Sequence, residues 1–346
     1  MTTPTPELNS KSNTAHANSK TPELLLAPME GVTDFLMREL LTSIGGIDMC
    51  VTEFLRVTDK LHPYQVFYKN CPELKQGSKT KSGTPVLIQL LGGQAAPLAE
   101  NAFRAYQLGA FGIDLNFGCP AKTVNRHDGG ATLLKSSDRL FQIASAVRKA
   151  VPLSTTVSAK IRLGFDDPSQ CIENVQALSE AKVSWITVHC RTKTDGYKPP
   201  AYWEWIPKIK SKVQNLDSLN LITNGEIWSL DDFQKCHELC QTNRYMIGRA
   251  ALRNPFIFQN IKMKREMEPE EHIKNTLPLL IPFFESATSY INDHFATSRT
   301  KQWLSQLKFQ NPIYKNLFDI VKVEKKPNEF IESLKKETFK IISNIE

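Results

Sequence analysis

Residues 116–120 of this chain read Asn116-Phe117-Gly118-Cys119-Pro120, a thiol set in a turn rather than in an apolar run. Gly118 permits tight backbone geometry and Pro120 blocks a simple helical continuation, so Cys119 is expected on an ordered loop. A thiol so placed can transfer a proton. The alternative is a buried structural cysteine, the common fate of a cytosolic one, but Asn116, Gly118 and Lys122 around it favour the loop. Cys50, Cys71, Cys171, Cys190, Cys236 and Cys240 lack this setting. Cys236, His237 and Cys240 share one helix without a second ligand pair, and no metal site is expected.

Other polar and special residues gather where apolar runs end: Met29-Glu30-Gly31, Arg162, His189, Asn224-Gly225-Glu226 and Gly248-Arg249. The runs themselves are short and rich in β-branched residues. They span 24–28, 49–54, 85–91, 112–116, 157–163, 185–190, 219–224 and 245–247, and helix-like segments such as 34–43, 97–108, 138–150 and 169–180 lie between them. Strands alternating with crossover helices predict a parallel sheet. Eight such units favour a closed barrel of the α/β class over an open doubly wound sheet, the TIM (β/α)8 barrel, whose strand ends form the catalytic face.

After Pro269 the strand pattern stops, and helical spacing runs through 273–291, 300–307, 314–321 and 330–345. The expected organisation is a disordered N-terminal extension over 1–22, a barrel over 23–262 and an all-α helical bundle over 270–346. With 41% apolar residues the 346-residue chain can bury a large core. The longest apolar stretch, 277–284, is far shorter than the roughly 20 residues that cross a bilayer. An odd count of seven cysteines suits a reducing compartment, and a cytoplasmic protein is expected. The net charge of +7 is unevenly spread. Residues 299–326 hold seven basic against two acidic side chains, and residues 56–81 hold six against two. Such stretches can attract a polyanion, or can be solvated helix faces.

The motifs together resemble the tRNA-dihydrouridine synthases, the Dus family, over residues 23–345. They are Leu26-Ala27-Pro28-Met29-Glu30-Gly31-Val32, Val51-Thr52-Glu53-Phe54, Gln89-Leu90-Leu91-Gly92, Asp114-Leu115-Asn116 with Gly118-Cys119-Pro120, Lys160-Ile161-Arg162-Leu163-Gly164, His189 with Arg191-Thr192, Asn224-Gly225-Glu226-Ile227 and Gly248-Arg249. Each string is weak alone, and their ordered set is specific. Gly130-Ala131-Thr132, Trp228 and Lys301-Gln302-Trp303 are similar to the bacterial C-type subgroup, which acts on uridine 16 of the tRNA D-loop. Phe117 departs from that subgroup, which often has a second cysteine there, and Arg126-His127-Asp128 replaces a small Gly- and Ser-rich stretch.

The resemblance implies an FMN enzyme that NADPH reduces and that delivers hydride to C6 of uracil, with Cys119 protonating C5. Pro28, Met29 and Glu30 would wall the flavin ring, with Gln89 and Lys160 near its polar side and His189 close by. Asn224, Gly225, Glu226, Gly248 and Arg249 would surround the phosphate, at the usual phosphate end of a barrel. Arg56 and Asn116 are candidates for the extruded base or its backbone, and Arg299 and Lys301 for further tRNA contacts. The structural alternatives are Lys160 paired with Asp114 or Glu226, His189 as a satisfied barrel histidine, and Arg299 and Lys301 as surface charges. At the level of function the alternatives are another D-loop uridine, a small-molecule FMN barrel, or a tRNA-binding protein with a decayed site. A monomer is expected.

Overall fold

The computed structural model describes residues 21–214 and 220–345. The extension expected over 1–22 therefore lies outside the described residues except for Thr21 and Pro22, and so does Leu219, where one strand was expected to begin.

The barrel wall is built from β1 (Glu23–Leu26), β2 (Met49–Val51), β3 (Leu55–Arg56), β4 (Val86–Leu91), β5 (Gly112–Asn116), β6 (Thr156–Arg162), β7 (Trp185–His189), β8 (Asn220–Asn224) and β9 (Arg244–Ile247). All pairings are parallel. The order β2-β1-β9-β8-β7-β6-β5-β4-β3 closes on itself because β2 also pairs β4. Nine segments make eight staves: the strand expected over 49–54 ends at Val51, the chain leaves the sheet at Thr52-Glu53-Phe54 and returns as β3, and β2 and β3 both pair β4.

Helices cross between the strands: α1 (Phe35–Ile44), α2 (Tyr64–Asn70), α3 (Ala95–Gln107), α4 (Lys122–Arg126), α5 (Ser137–Ala150), α6 (Gln170–Glu180), α7 (Trp205–Lys212), α8 (Leu230–Cys240), α9 (Arg249–Arg253) and α10 (Ile257–Met263). Several start where the sequence supplies a cap. Asp34, Ser136 and Ser229 each accept a backbone N–H from the first turn of α1, α5 and α8, satisfying a donor that the helix leaves unpaired. Four more helices follow, α11 (Pro269–Tyr290), α12 (Asp293–Leu307), α13 (Pro312–Val321) and α14 (Pro327–Ser343), each longer than its apolar pattern alone predicts. Pro269, Pro312 and Pro327 begin three of them, at positions where the missing N–H costs little.

The two-residue period of a strand sorts the barrel interior by height. Leu25, Met49, Val51, Leu87, Trp185, Ile222 and Met246 form an apolar cluster. Two residues further along several of the same strands come Gln89, Thr187 and Asn224, and register places Gln89 beside Asp114, Asp114 beside Ser158, Asn116 beside Lys160 and His189 beside Asn224. An apolar layer thus supports a polar one. Among the described residues no helix is long and apolar enough to cross a membrane.

Candidate active site

Above the polar layer lies a cavity of about 410 Å³, within the usual range for a small-molecule or cofactor site. Its lining includes Cys119 and Asn116 together with Pro28, Met29, Glu30, Gln89, Lys160, His189, Asn224, Gly225, Glu226, Gly248 and Arg249. The structure therefore brings together in one space residues that are as much as 221 positions apart in sequence.

Cys119 is half-buried at the start of the loop after β5, and its position is set from below. Asn116 Oδ1 accepts the N–H groups of Gly118 and Cys119, each at 3.0 Å. Asn116 Nδ2 donates to Gln89 Oε1 at 2.8 Å, and Gln89 Nε2 donates to Asp114 Oδ2 at 2.7 Å. Ser158 Oγ donates to the other Asp114 oxygen at 2.6 Å. A hydrogen-bonded relay thus runs from the buried wall of the barrel to the thiol loop. Arg162 braces the loop from the side, donating through Nε to Gly118 O at 2.9 Å. Gly130 is needed opposite: at φ +60° a Cβ there would lie 2.8 Å from Cys119 O, closer than real contacts allow. Burial pushes the Cys119 thiol above its ordinary value, with the Glu30 carboxylate adding to the rise, so the protonated form is favoured.

Lys160 donates to Asn224 Oδ1 at 3.1 Å, and Asn224 Nδ2 donates to Met246 O at 2.8 Å. Neither Asp114 nor Glu226 is the direct partner that the structural alternative for Lys160 supposes. Burial, then repulsion by Arg162, lowers the ammonium to about 8, while Asp114 opposes that fall. His189 is held neutral: burial and then Arg162, Lys160, Arg191 and Arg249 all push its pKa well below the usual value. Gly225, at φ +120°, lies against that ring, where a Cβ would be 3.1 Å from His189 Cδ2.

At the other end of the cavity cations outnumber anions. Glu226 Oε1 lies 2.7 Å from Arg191 Nη2 and 3.5 Å from Arg249 Nη2. Arg191 is fully buried, and its Nη1 has no hydrogen-bond partner among the described residues. Burial lowers the Arg253 guanidinium, and Glu226 is near enough to offset part of that fall. Three guanidiniums around one carboxylate leave positive charge that an anion such as a phosphate would balance.

Sequence reading missed two aromatic side chains. Tyr197 stands between guanidiniums, 5.3 Å from Arg162 and 4.9 Å from Arg249, and Trp228 lies 5.0 Å from Arg249 and 4.4 Å from Arg253. Both line the cavity. Trp228 follows the quoted Gly225-Glu226-Ile227 string and its ring could have been anticipated, whereas nothing in the sequence around Tyr197 marks it.

Three expected tRNA contacts lie elsewhere. Arg56 lines a neighbouring cavity of about 350 Å³ with His127, Asp128 and Arg139. Arg299 is only 8% exposed and pairs with Asp34 at 3.0 Å, turned toward the barrel. Lys301 donates to Lys322 O at 3.1 Å and to Glu324 O, closing the end of α13. Both are expected against tRNA on resemblance, which does not show which of their polar atoms find internal partners. Cys236 and Cys240 are buried with sulfurs 3.9 Å apart, and His237 Nδ1 is bonded to Tyr245 OH.

A parallel barrel with an apolar lower layer, a polar upper layer and its cavity at the C-terminal ends of the strands is the architecture of the TIM-barrel enzymes. Within that class the pattern described as Dihydrouridine synthase (Dus) matches residues 25–341, and the chain belongs to that family. It is 44% identical over 292 residues to the tRNA-dihydrouridine(16) synthase of Pseudomonas putida, covering 84% of this chain and 89% of that one. The proteins of the same name from Shewanella oneidensis and Vibrio cholerae are 43% and 45% identical, covering 90% and 85% of this chain and 96% and 90% of theirs. Among solved structures, a 2-naphthoyl-CoA reductase complex shares the fold at 12% identity and a TM-score of 0.54, covering 72% of this chain and 50% of that one. A histamine dehydrogenase from Rhizobium does so at 14% and 0.52, covering 76% of this chain and 48% of that one. The chain spans about half the length of those two structures.

Proposed function

We propose that this protein reduces a uracil base of tRNA to 5,6-dihydrouracil, at uridine 16 of the D-loop, with FMN as bound cofactor and NADPH as reductant. The observation that carries the chemistry is the half-buried thiol of Cys119, its pKa raised by burial, on the wall of the same cavity as Lys160 and the cationic cluster. The position of the uridine rests on likeness to the three bacterial relatives.

The residues present fit FMN. Pro28 and Met29 offer a flat apolar wall, and Arg249 with the surplus charge around Glu226 offers a place for the phosphate. When bound, the flavin supplies the hydride that reaches C6 of the base.

Cys119 donates its proton to C5, so hydride and proton together saturate the C5–C6 bond, and the thiolate regains a proton from solvent. An acid in this role must be protonated at working pH, which the burial of Cys119 secures. Lys160 keeps a positive charge beside the site and, held by Asn224, stabilises negative charge that develops on the base carbonyl. Arg162 and Asn116 fix the loop so that the thiol meets the base rather than water. The base is stacked in folded RNA and must be extruded to reach this depth. His189, neutral among four cations, offers a hydrogen bond without adding charge.

The test incubates FMN-loaded protein and NADPH with unmodified tRNA and locates the added hydrogens by mass spectrometry. Reduction confined to position 16 is the expected result. Reduction at another D-loop position corrects the site, and activity on free uridine or orotate with none on tRNA overturns the reading.

A further inference from the structure

One face of α12 is turned to the barrel mouth. Arg299, Gln302, Trp303 and Gln306 recur at the spacing that aligns side chains along a helix. Arg299 Nη1 donates to Gly31 O at 3.0 Å and Nη2 to Val32 O at 2.8 Å. The same guanidinium pairs with Asp34, whose other role is to cap α1. Gln302 Nε2 donates to Gly31 O at 2.9 Å while its Oε1 accepts from Arg299 Nη1. At the other end of this face Trp303 Nε1 donates to Leu252 O at 3.1 Å, and Gln306 lines the cavity.

The segment that Arg299 and Gln302 hold, residues 28–33, contributes Pro28, Met29, Glu30 and Val32 to the cavity wall. Its own closure is a short turn, with Val32 and Thr33 N–H donating to Met29 O and Met29 N–H donating to Thr33 Oγ1. A short turn can adopt one of several backbone types, and contacts to its carbonyls help fix which one. The guanidinium is suited to the task because its fixed fork meets two carbonyls and a carboxylate at once.

We propose that Arg299, oriented by Gln302, is a positioning residue for the cofactor: the helical part of the chain sets the shape of the 28–33 wall and so sets FMN affinity. The helical part is then a component of the cofactor pocket as well as a surface that can meet RNA. The proposal rests on the FMN reading above and concerns binding before any turnover.

The test titrates flavin-free full-length protein with FMN and follows quenching of flavin fluorescence. For Arg299→Met the dissociation constant is expected to rise by roughly tenfold, as loss of charge-assisted bonds to the wall implies. Gln302→Leu, a milder change at the same carbonyl, is expected to give a smaller rise, and Arg299→Lys to recover part of the loss through Asp34. Tyr314→Phe removes a hydroxyl bonded to His272 within the helical part and is expected to lower thermal stability while leaving FMN affinity unchanged. Wild-type affinity in a folded Arg299→Met protein, or in Gln302→Leu where Arg299→Met does not fold, overturns the proposal, as does equal weakening by Tyr314→Phe. A wild-type protein that binds no FMN overturns the cofactor reading and this proposal with it.

Discussion

Asn116 and Gln89 are joined through their side-chain amides, Nδ2 of the first donating to Oε1 of the second at 2.8 Å. Because Asn116 also accepts the N–H of Cys119, the bond ties the height of the thiol to a fully buried side chain of the barrel wall. Asn116→Ala is expected to slow tRNA reduction by about 100-fold, the order of loss that follows a small misplacement of a reacting group. Gln89→Leu should reproduce part of that loss, and the double variant should fall well short of the product of the two. Rates measured in a single-turnover assay that multiply independently would show that the relay does not act as a unit.

The acid role proposed for Cys119 has a defined pH signature. Its folded pKa is raised by burial, so the thiol keeps its proton through neutral pH and loses it only above the ordinary thiol value of about 8.5. The rate of base reduction should therefore not decline on that group's account until the pH passes this point. Cys119→Ala should retain flavin and NADPH oxidation yet form product at least about 100-fold more slowly. A variant that makes dihydrouridine at the wild-type rate would remove Cys119 from the mechanism.

Glu226 is the counter-charge of a fully buried arginine, Arg191, 2.7 Å away. Replacing it by Gln leaves a buried cation without its partner, at a cost of about 3 kcal/mol. Denaturant unfolding of the flavin-free protein should show that loss. Millimolar inorganic phosphate should restore part of it, since an anion can take over the neutralising role. No response to phosphate in Glu226→Gln would argue that the surplus charge there does not serve anion binding.

The barrel was legible because strand pattern and strand end change character together: apolar runs stop at Gly, Cys, His, Asn or Arg, and register then gathers those ends at one mouth. The break in the second stave was not, since Val51-Thr52-Glu53-Phe54 reads as an unbroken strand. The cavity residues carried by the motifs were found by type. Tyr197 escaped because its place between Arg162 and Arg249 is created by a loop folding back. The inward turn of Arg299 had a clue in the sequence: it precedes Trp303 by four residues, hence shares its face of α12, and that tryptophan is buried. Resemblance suggested a tRNA contact, and periodicity pointed inward.

His272 in α11 offers a test of how the helical part responds to acid. Its Nδ1 is 2.8 Å from Tyr314 OH, its Nε2 is buried without a partner among the described residues, and its ring meets Phe256, just before α10, at 5.8 Å. Burial lowers its pKa to about 4, whereas in the unfolded chain it titrates near 6.5. The folded state therefore holds it neutral, and its contribution is complete above about pH 6.5. As the pH falls toward 4 the unfolded chain gains a proton that the folded chain refuses, and about 3 kcal/mol is lost. Stability measured by urea unfolding at pH 7.5 and pH 5 should fall in the wild type and fall less in His272→Gln, which cannot be protonated. Equal declines in the two proteins would assign the acid sensitivity to other groups.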